Sequence, residues 1–183
     1  MKAIHYPVLA LVLAVSLAAC KQEKAVTAEN ESAESVAKKV AAANIKPLPG
    51  RWESTVKLEK MEMEGMPPQA KAAMESQLGK TQTFATCLTP EQVNQPDGGF
   101  FQGASAKDCK YDHFTMAGGA VDAKMTCAAG GRTATMEMSG SYGESNYDIR
   151  INSQSEVQPG MPMTMAMAIT SRRTGDCNGT EKK

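Results

Sequence analysis

This sequence has very little histidine, few aromatic residues, no net charge and no long apolar run. Of its two histidines, only His113 lies beyond the N-terminal leader. A histidine-rich catalytic zinc site therefore lacks ligands, and Ser-His-Asp catalysis would have to be built around His113 without a G-x-S-x-G motif. No P-loop or dinucleotide-binding glycine motif is present either. We expect no enzyme and no cofactor, and we interpret His113 as an ordinary strand residue.

The balanced charge bears on the class of partner. The chain has twenty Lys and Arg residues and twenty Asp and Glu residues, and the basic residues are scattered among the acidic ones. Binding to a phosphate backbone requires a concentrated basic surface. We therefore expect no nucleic-acid partner.

The N-terminus carries an apolar run, from Tyr6 to Val15, that is shorter than the roughly 20 residues needed to cross a bilayer. With Lys2 before it and "SLAAC" after it, the pattern predicts a signal peptide over residues 1–19. The same letters resemble the lipobox of bacterial lipoproteins, in which Cys20 becomes the acylated N-terminus. The alternative is an ordinary cleaved signal whose first mature residue is cysteine.

A fully acylated Cys20 predicts stable anchoring, since two or more acyl chains hold a protein on a membrane where one does not. Lys21 follows it, and by resemblance to lipoprotein sorting signals the absence of aspartate there favours the outer membrane. We expect a lipid-anchored protein of the bacterial cell envelope that faces the periplasm. Residues 20–46 are rich in Ala, Lys and Glu without an aromatic, which predicts a lipidated N-terminus followed by a flexible linker.

Residues 47–183 show a period-two alternation of apolar and polar residues, which is typical of half-buried strands. Seven such runs are separated by turn residues, and the short later connections require antiparallel neighbours. We predict a mainly β domain, either a single antiparallel β-sandwich or a small open barrel. One short helix is predicted over "PPQAKAAMESQLG", and "TPEQVNQ" favours a further helical turn.

Four cysteines remain after Cys20, and an even number in an exported chain predicts two disulfides. Three connectivities are possible. Cys109 and Cys127 lie symmetrically about Gly118, so a hairpin centred there would bring them face to face. We prefer this pair together with Cys87 and Cys177.

Methionine occupies alternate positions in "PGMPMTMAMAI", where Met161, Met163, Met165 and Met167 would share one strand face. The same spacing occurs in "TATMEMSG" and "KMEMEGM". The favoured interpretation is that methionine fills the core of a domain poor in Phe, Leu and Ile. The alternative is a Cu(I) or Ag(I) site, because thioethers select soft cations.

Two adjacent aromatics, Phe100 and Phe101, lie in the glycine-rich segment "DGGFFQG". No downstream helix pattern supports a phosphate-binding loop there. We interpret the two rings as possible contact residues of a surface loop.

Several short motifs together resemble a group of small exported proteobacterial proteins known only as a domain of unknown function. They are "PGRWE" at 49–53, "EGMPP" at 64–68, "TCLTPEQ" at 86–92, the pair Cys109 and Cys127, and "SRRTGDC" at 171–177. The resemblance implies an exported, disulfide-bonded, mainly β domain. It implies no activity and no catalytic residue.

These observations favour a non-catalytic lipoprotein that serves as a binding or structural module. Its partner would be an envelope protein, a glycan or a lipid. The alternative is periplasmic Cu(I) or Ag(I) binding through the methionine rows, and a weaker alternative is inhibition of a hydrolase.

Overall fold

Eight antiparallel strands and three short helices make up the described part of the chain, which in the computed structural model comprises residues 24–94, 108–129, 131–158 and 160–181. In chain order the elements are β1 (Val26–Ser32), α1 (Ala33–Ala42), β2 (Gly50–Met63), α2 (Pro68–Glu75), β3 (Thr81–Leu88), α3 (Pro90–Asn94), β4 (Cys109–Ala117), β5 (Ala120–Ala129), β6 (Arg132–Tyr142), β7 (Asn146–Gln158) and β8 (Met161–Gly175).

The strands form one open sheet in the order β1-β4-β5-β6-β7-β8-β2-β3. The run from β4 to β8 is a meander of hairpins, and β2 then pairs with β8 over most of its length. The prediction of a mainly β, antiparallel fold is confirmed, and all seven predicted strands are present. Of the two arrangements considered, the structure has a single open sheet rather than two packed sheets.

The flexible linker predicted over residues 20–46 is wrong for most of that range. Residues 26–32 form β1, which pairs with β4 from Val26 opposite Met116 to Ser32 opposite Lys110. Residues 33–42 form α1, whose N-cap Ser32 accepts a hydrogen bond from the Ser35 amide at 3.2 Å. The segment is ordered because its larger apolar residues, Val26, Val36, Val40 and Ile45, are all buried in the core. Their spacing matters more than their number, since Ala25, Ala41 and Ala42 are exposed.

The buried core lies beneath α1. The helix buries Val36 and Val40, one turn apart, which are 1% and 5% exposed. They join a cluster with Phe114 and Met116 of β4, each 1% exposed, and with Met125 of β5. This half of the sheet is therefore covered on one face by α1.

The described residues contain three helices, where one short helix and a further helical turn were predicted. The predicted helix corresponds to α2, which begins at Pro68 and ends at Glu75, before the expected stop at Gly79. The predicted helical turn is α3, whose start is a capping box: the Thr89 amide donates to Gln92 Oε1 at 2.9 Å, and the Gln92 amide donates to Thr89 Oγ1 at 3.3 Å. None of the helices in the described ranges is long and apolar enough to cross a membrane.

Both preferred disulfides are confirmed. Cys109 and Cys127 are directly opposed on β4 and β5, with Cα atoms 4.0 Å apart. Cys87, at the end of edge strand β3, is bonded to Cys177, which follows β8, with Cα atoms 5.5 Å apart. The second bond therefore ties the edge of the sheet to the end of the domain.

Candidate functional site

One row of apolar side chains crosses six neighbouring strands on a single face of the sheet. The ladder pairs Phe114 with Ala123, Ala123 with Met138, Met138 with Ile151, Ile151 with Met167, and Met167 with Leu58. Directly opposed residues project from the same face of a sheet. The row is thus one continuous apolar line, and its two ends have different surroundings.

The β4 end of this row is covered and the β2 end is not. Phe114 and Ala123 are 1% and 3% exposed beneath α1. From β6 onward the corresponding side chains are only half-buried, and within the described ranges no helix packs extensively on these strands. We call this half-buried set the inner strip; its members are Val56, Leu58, Met138, Ile149, Ile151, Met167 and Ile169.

A small aromatic cluster closes one end of the inner strip. Trp52 is 1% exposed, stacks on Tyr147 with ring centroids 5.9 Å apart, and donates its indole N–H to the Leu48 carbonyl at 3.0 Å. Beside it, the hydroxyls of Ser54 and Ser171 are 2.7 Å apart and both residues are buried. The two hydroxyls are hydrogen-bonded to each other, which offsets the cost of burying two polar side chains in an apolar face.

The opposite face of the same strands is polar. Arg150 donates from Nε and Nη2 to the two carboxylate oxygens of Glu59, at 3.0 and 3.1 Å, and these hydrogen bonds lower the pKa of Glu59. Arg172 donates to Asp148 at 2.9 Å and lowers the pKa of that carboxyl in the same way. The sheet is therefore two-sided, with charge on one face and the inner strip on the other.

Two pairs of methionines oppose each other on β2 and β8. Met61 lies opposite Met165, and Met63 lies opposite Met163. All four are half-buried. We call these four residues the methionine ladder; it continues the inner face beyond the inner strip, toward the ends of the two strands.

The predicted methionine row is thus divided by the structure. Its four members share a face as predicted, but only Met163 and Met165 meet methionines across the sheet. Met161 lies opposite Gln158, and Met167 lies opposite Leu58 and Ile151. The expectation that this row fills a buried core is wrong, because all four side chains keep partial exposure, and the buried core methionines are Met116 and Met125.

A pocket of about 670 Å³ opens beside the end of β2, where β3 no longer pairs with it and α2 lies nearby. Four methionines line it: Met61, Met63, Met66 and Met74. Charged side chains of both signs, including Glu62 and Lys71, complete its wall. The β2 side of the methionine ladder is therefore open to solvent.

The other predicted site residues have separate positions. Cys20, Phe100 and Phe101 lie outside the described residues. His113 is exposed on β4 and its Nε2 is 2.8 Å from Asp122 of β5. In the described part of the chain, no three His, Cys, Asp or Glu residues come together as a metal site.

Sequence reasoning missed the pairing of Met61 and Met63 with the β8 row, although their spacing was visible. Period-two alternation indicates which residues share a strand face, but it carries no information about which strand lies next to which. Here each opposed methionine is at least 100 residues away along the chain.

Comparison with known proteins gives one finding on family and none on activity. No curated protein and no solved structure is significantly similar to this chain. Residues 47–177 match the family model described as "Protein of unknown function (DUF3617)". The match runs from the residues before β2 to Cys177 and leaves out β1 and α1. Because it covers well over half of the sequence, the chain belongs to the DUF3617 family.

Proposed function

We propose that this chain is a non-catalytic lipoprotein of the bacterial cell envelope that binds a lipid acyl chain on the inner strip. The observation that carries the proposal is the partly exposed apolar row on a sheet whose other half is covered. Exposed apolar surface of this kind typically marks a binding surface. The strip contains neither charged side chains nor aromatic rings, which suits a hydrocarbon better than a sugar.

The dimensions of the inner strip support this ligand class. Neighbouring strands lie about 4.8 Å apart, so the four residues Met138, Ile151, Met167 and Leu58 span about 14 Å. The hydrocarbon part of one bilayer leaflet is about 15 Å thick. An extended acyl chain could therefore lie across the four strands, with aliphatic and thioether groups beneath its whole length.

The position of β1 adds a second argument. If Cys20 carries the lipid anchor, only residues 21–25 separate it from β1 at Val26. Five residues span at most about 18 Å. The sheet would then stay close to the headgroups of the membrane, where lipid is the most abundant apolar ligand.

Binding of a fluorescent fatty acid tests the proposal. In the mature chain carrying Cys20→Ser, Ile151→Lys is expected to weaken binding of dansyl-labelled palmitate by at least roughly tenfold, since an unpaired charge facing a hydrocarbon costs more than about 1.4 kcal/mol. The matched control is Asn152→Lys, which places the same charge on the same strand but on the polar face. Equal affinity in the two variants, or no binding by the parent chain, would contradict the proposal.

Membrane attachment has its own test. In cells, Cys20→Ser is expected to abolish labelling by radioactive palmitate, because the variant lacks the thiol that would carry the acyl chains. Lys21→Ala serves as the control and should keep the label. A Cys20→Ser protein that still takes up the label would show that Cys20 is not the acylated residue.

A further inference from the structure

The methionine ladder brings four thioethers to one place on the inner face of the sheet. Met61 and Met165 are opposed across β2 and β8, as are Met63 and Met163. Opposed Cβ atoms in an antiparallel pair lie about 5 Å apart, and same-face neighbours on one strand lie about 7 Å apart. The four Cβ atoms therefore form a rectangle whose centre is about 4 Å from each of them.

That separation suits coordination of one ion by methionine. The sulfur lies two bonds beyond Cβ on an unbranched side chain with three rotatable bonds, so several sulfurs can turn toward a common centre. The half-buried state of all four side chains also matters. A fully buried ladder would be closed to an ion, whereas these residues are partly shielded from water and still accessible.

The pocket beside β2 opens one side of the ladder to solvent. Met61 and Met63 belong to the ladder and also line the pocket, together with Met66 and Met74. The β8 residues that line it are Pro162 and Thr164, so the pocket reaches the β2 half of the ladder. An ion in the pocket would therefore contact the β2 methionines of the ladder first. The pocket is lined by four glutamates and two lysines, and this net negative charge would favour the approach of a cation over that of an anion.

The donor set selects the kind of ion. Thioethers are soft, neutral ligands that favour Cu(I) over the hard and borderline divalent cations. In the described ranges no cluster of His, Cys, Asp and Glu competes for the ion, and Cys87, Cys109, Cys127 and Cys177 are all in disulfides. The thioethers are thus the soft donors that this part of the sheet offers.

We propose that Met61, Met63, Met163 and Met165 form a binding site for one soft monovalent cation, Cu(I) or Ag(I). The site shares no residue with the inner strip, so it stands independently of acyl-chain binding. No redox step is involved, because the ion is bound and released in a single oxidation state.

Silver is the probe for the test, because Ag(I) needs no reductant and leaves both disulfides intact. The mature chain carrying Cys20→Ser is titrated with silver nitrate in chloride-free buffer by isothermal calorimetry. We expect one ion per chain with submicromolar affinity. Methionines labelled at the methyl carbon should show shifted NMR signals for the four ladder residues.

Two leucine variants test whether Ag(I) binding requires the methionine ladder or is a property of any pair of methionines. Met163→Leu/Met165→Leu is expected to weaken Ag(I) binding by more than roughly tenfold, since it removes half of the donor set while keeping side-chain volume. The matched control is Met138→Leu/Met167→Leu, because neither residue is opposed by a methionine; it should bind like the parent. Unfolding midpoints of both variants, measured alongside, would verify that each one folds. Undiminished binding by the ladder variant, an equal loss in the control, or no submicromolar binding by the parent would each overturn the proposal.

Discussion

Deletion of residues 21–46 is expected to abolish most of the cooperative unfolding transition of this domain, although the remaining residues include the whole family match. The deletion removes β1 and its ladder with β4. It also removes α1, which covers Phe114 and Met116. An apolar surface that is now buried would be exposed to water along one edge of the sheet.

The loss of stability can be estimated from four buried side chains that the deletion removes. Val26, Val36, Val40 and Ile45 are between 1% and 9% exposed, and full burial of such a side chain contributes about 1.5 to 3 kcal/mol. Together they contribute on the order of 6 to 12 kcal/mol, against a typical total stability of about 5 to 15 kcal/mol.

Urea unfolding followed by circular dichroism, with chains 21–183 and 47–183 compared, measures this loss. Val36→Asp in the longer chain should reproduce much of it, and Lys38→Ala, on the exposed side of α1, should leave the midpoint nearly unchanged. A 47–183 chain with an undiminished midpoint would mean that α1 and β1 are accessory to the fold.

Loss of both disulfides is expected to bring the chain close to or below the limit of stable folding. The Cys87–Cys177 bond closes a sequence separation of 90 residues and the Cys109–Cys127 bond one of 18. Chain-entropy estimates assign roughly 4 to 5 kcal/mol to the first closure and roughly 3 kcal/mol to the second. Their sum is comparable to the whole stability of an ordinary domain.

The paired substitutions Cys87→Ala/Cys177→Ala and Cys109→Ala/Cys127→Ala measure the two bonds separately. The first pair should lower the free energy of unfolding mainly through the unfolded chain, since Cys177 is exposed. The second pair should also lose packing, because Cys109 is 2% exposed within the core. Thermal unfolding in the absence of reductant gives both values. A loss below about 1 kcal/mol for the first pair would contradict the chain-entropy account.

The helical segment near the N-terminus shows where reading the sequence fell short. Its composition, rich in Ala, Lys and Glu, is typical of a linker. Yet Ala33, Val36 and Val40 lie at the spacing of one helix face, and β1 alternates as Val26, exposed Thr27 and Ala28. The pattern was present, but small side chains at those positions give a weak signal. Burial against Phe114 and Met116, far along the chain, is what stabilises the segment.

The methionine rows illustrate a different limit. Alternation predicted correctly that Met161, Met163, Met165 and Met167 share a face, because successive side chains of a strand point to opposite sides. It also suggested that the face was buried. Burial depends on a second layer, and α1 packs on the part of the sheet formed by β1, β4 and β5.

By itself, the amino-acid sequence determined the local features of this protein: seven strands and their faces, helix α2, antiparallel connections and a hairpin that pairs Cys109 with Cys127. These features depend on interactions between near neighbours, which appear in the sequence as a periodic pattern of apolar and polar residues. Only the tertiary structure decided that the sheet is open, that β2 lies beside β8, and that one half of the inner face stays uncovered. Those properties depend on contacts between residues far apart in sequence, and no local period encodes which distant segment will come to lie alongside.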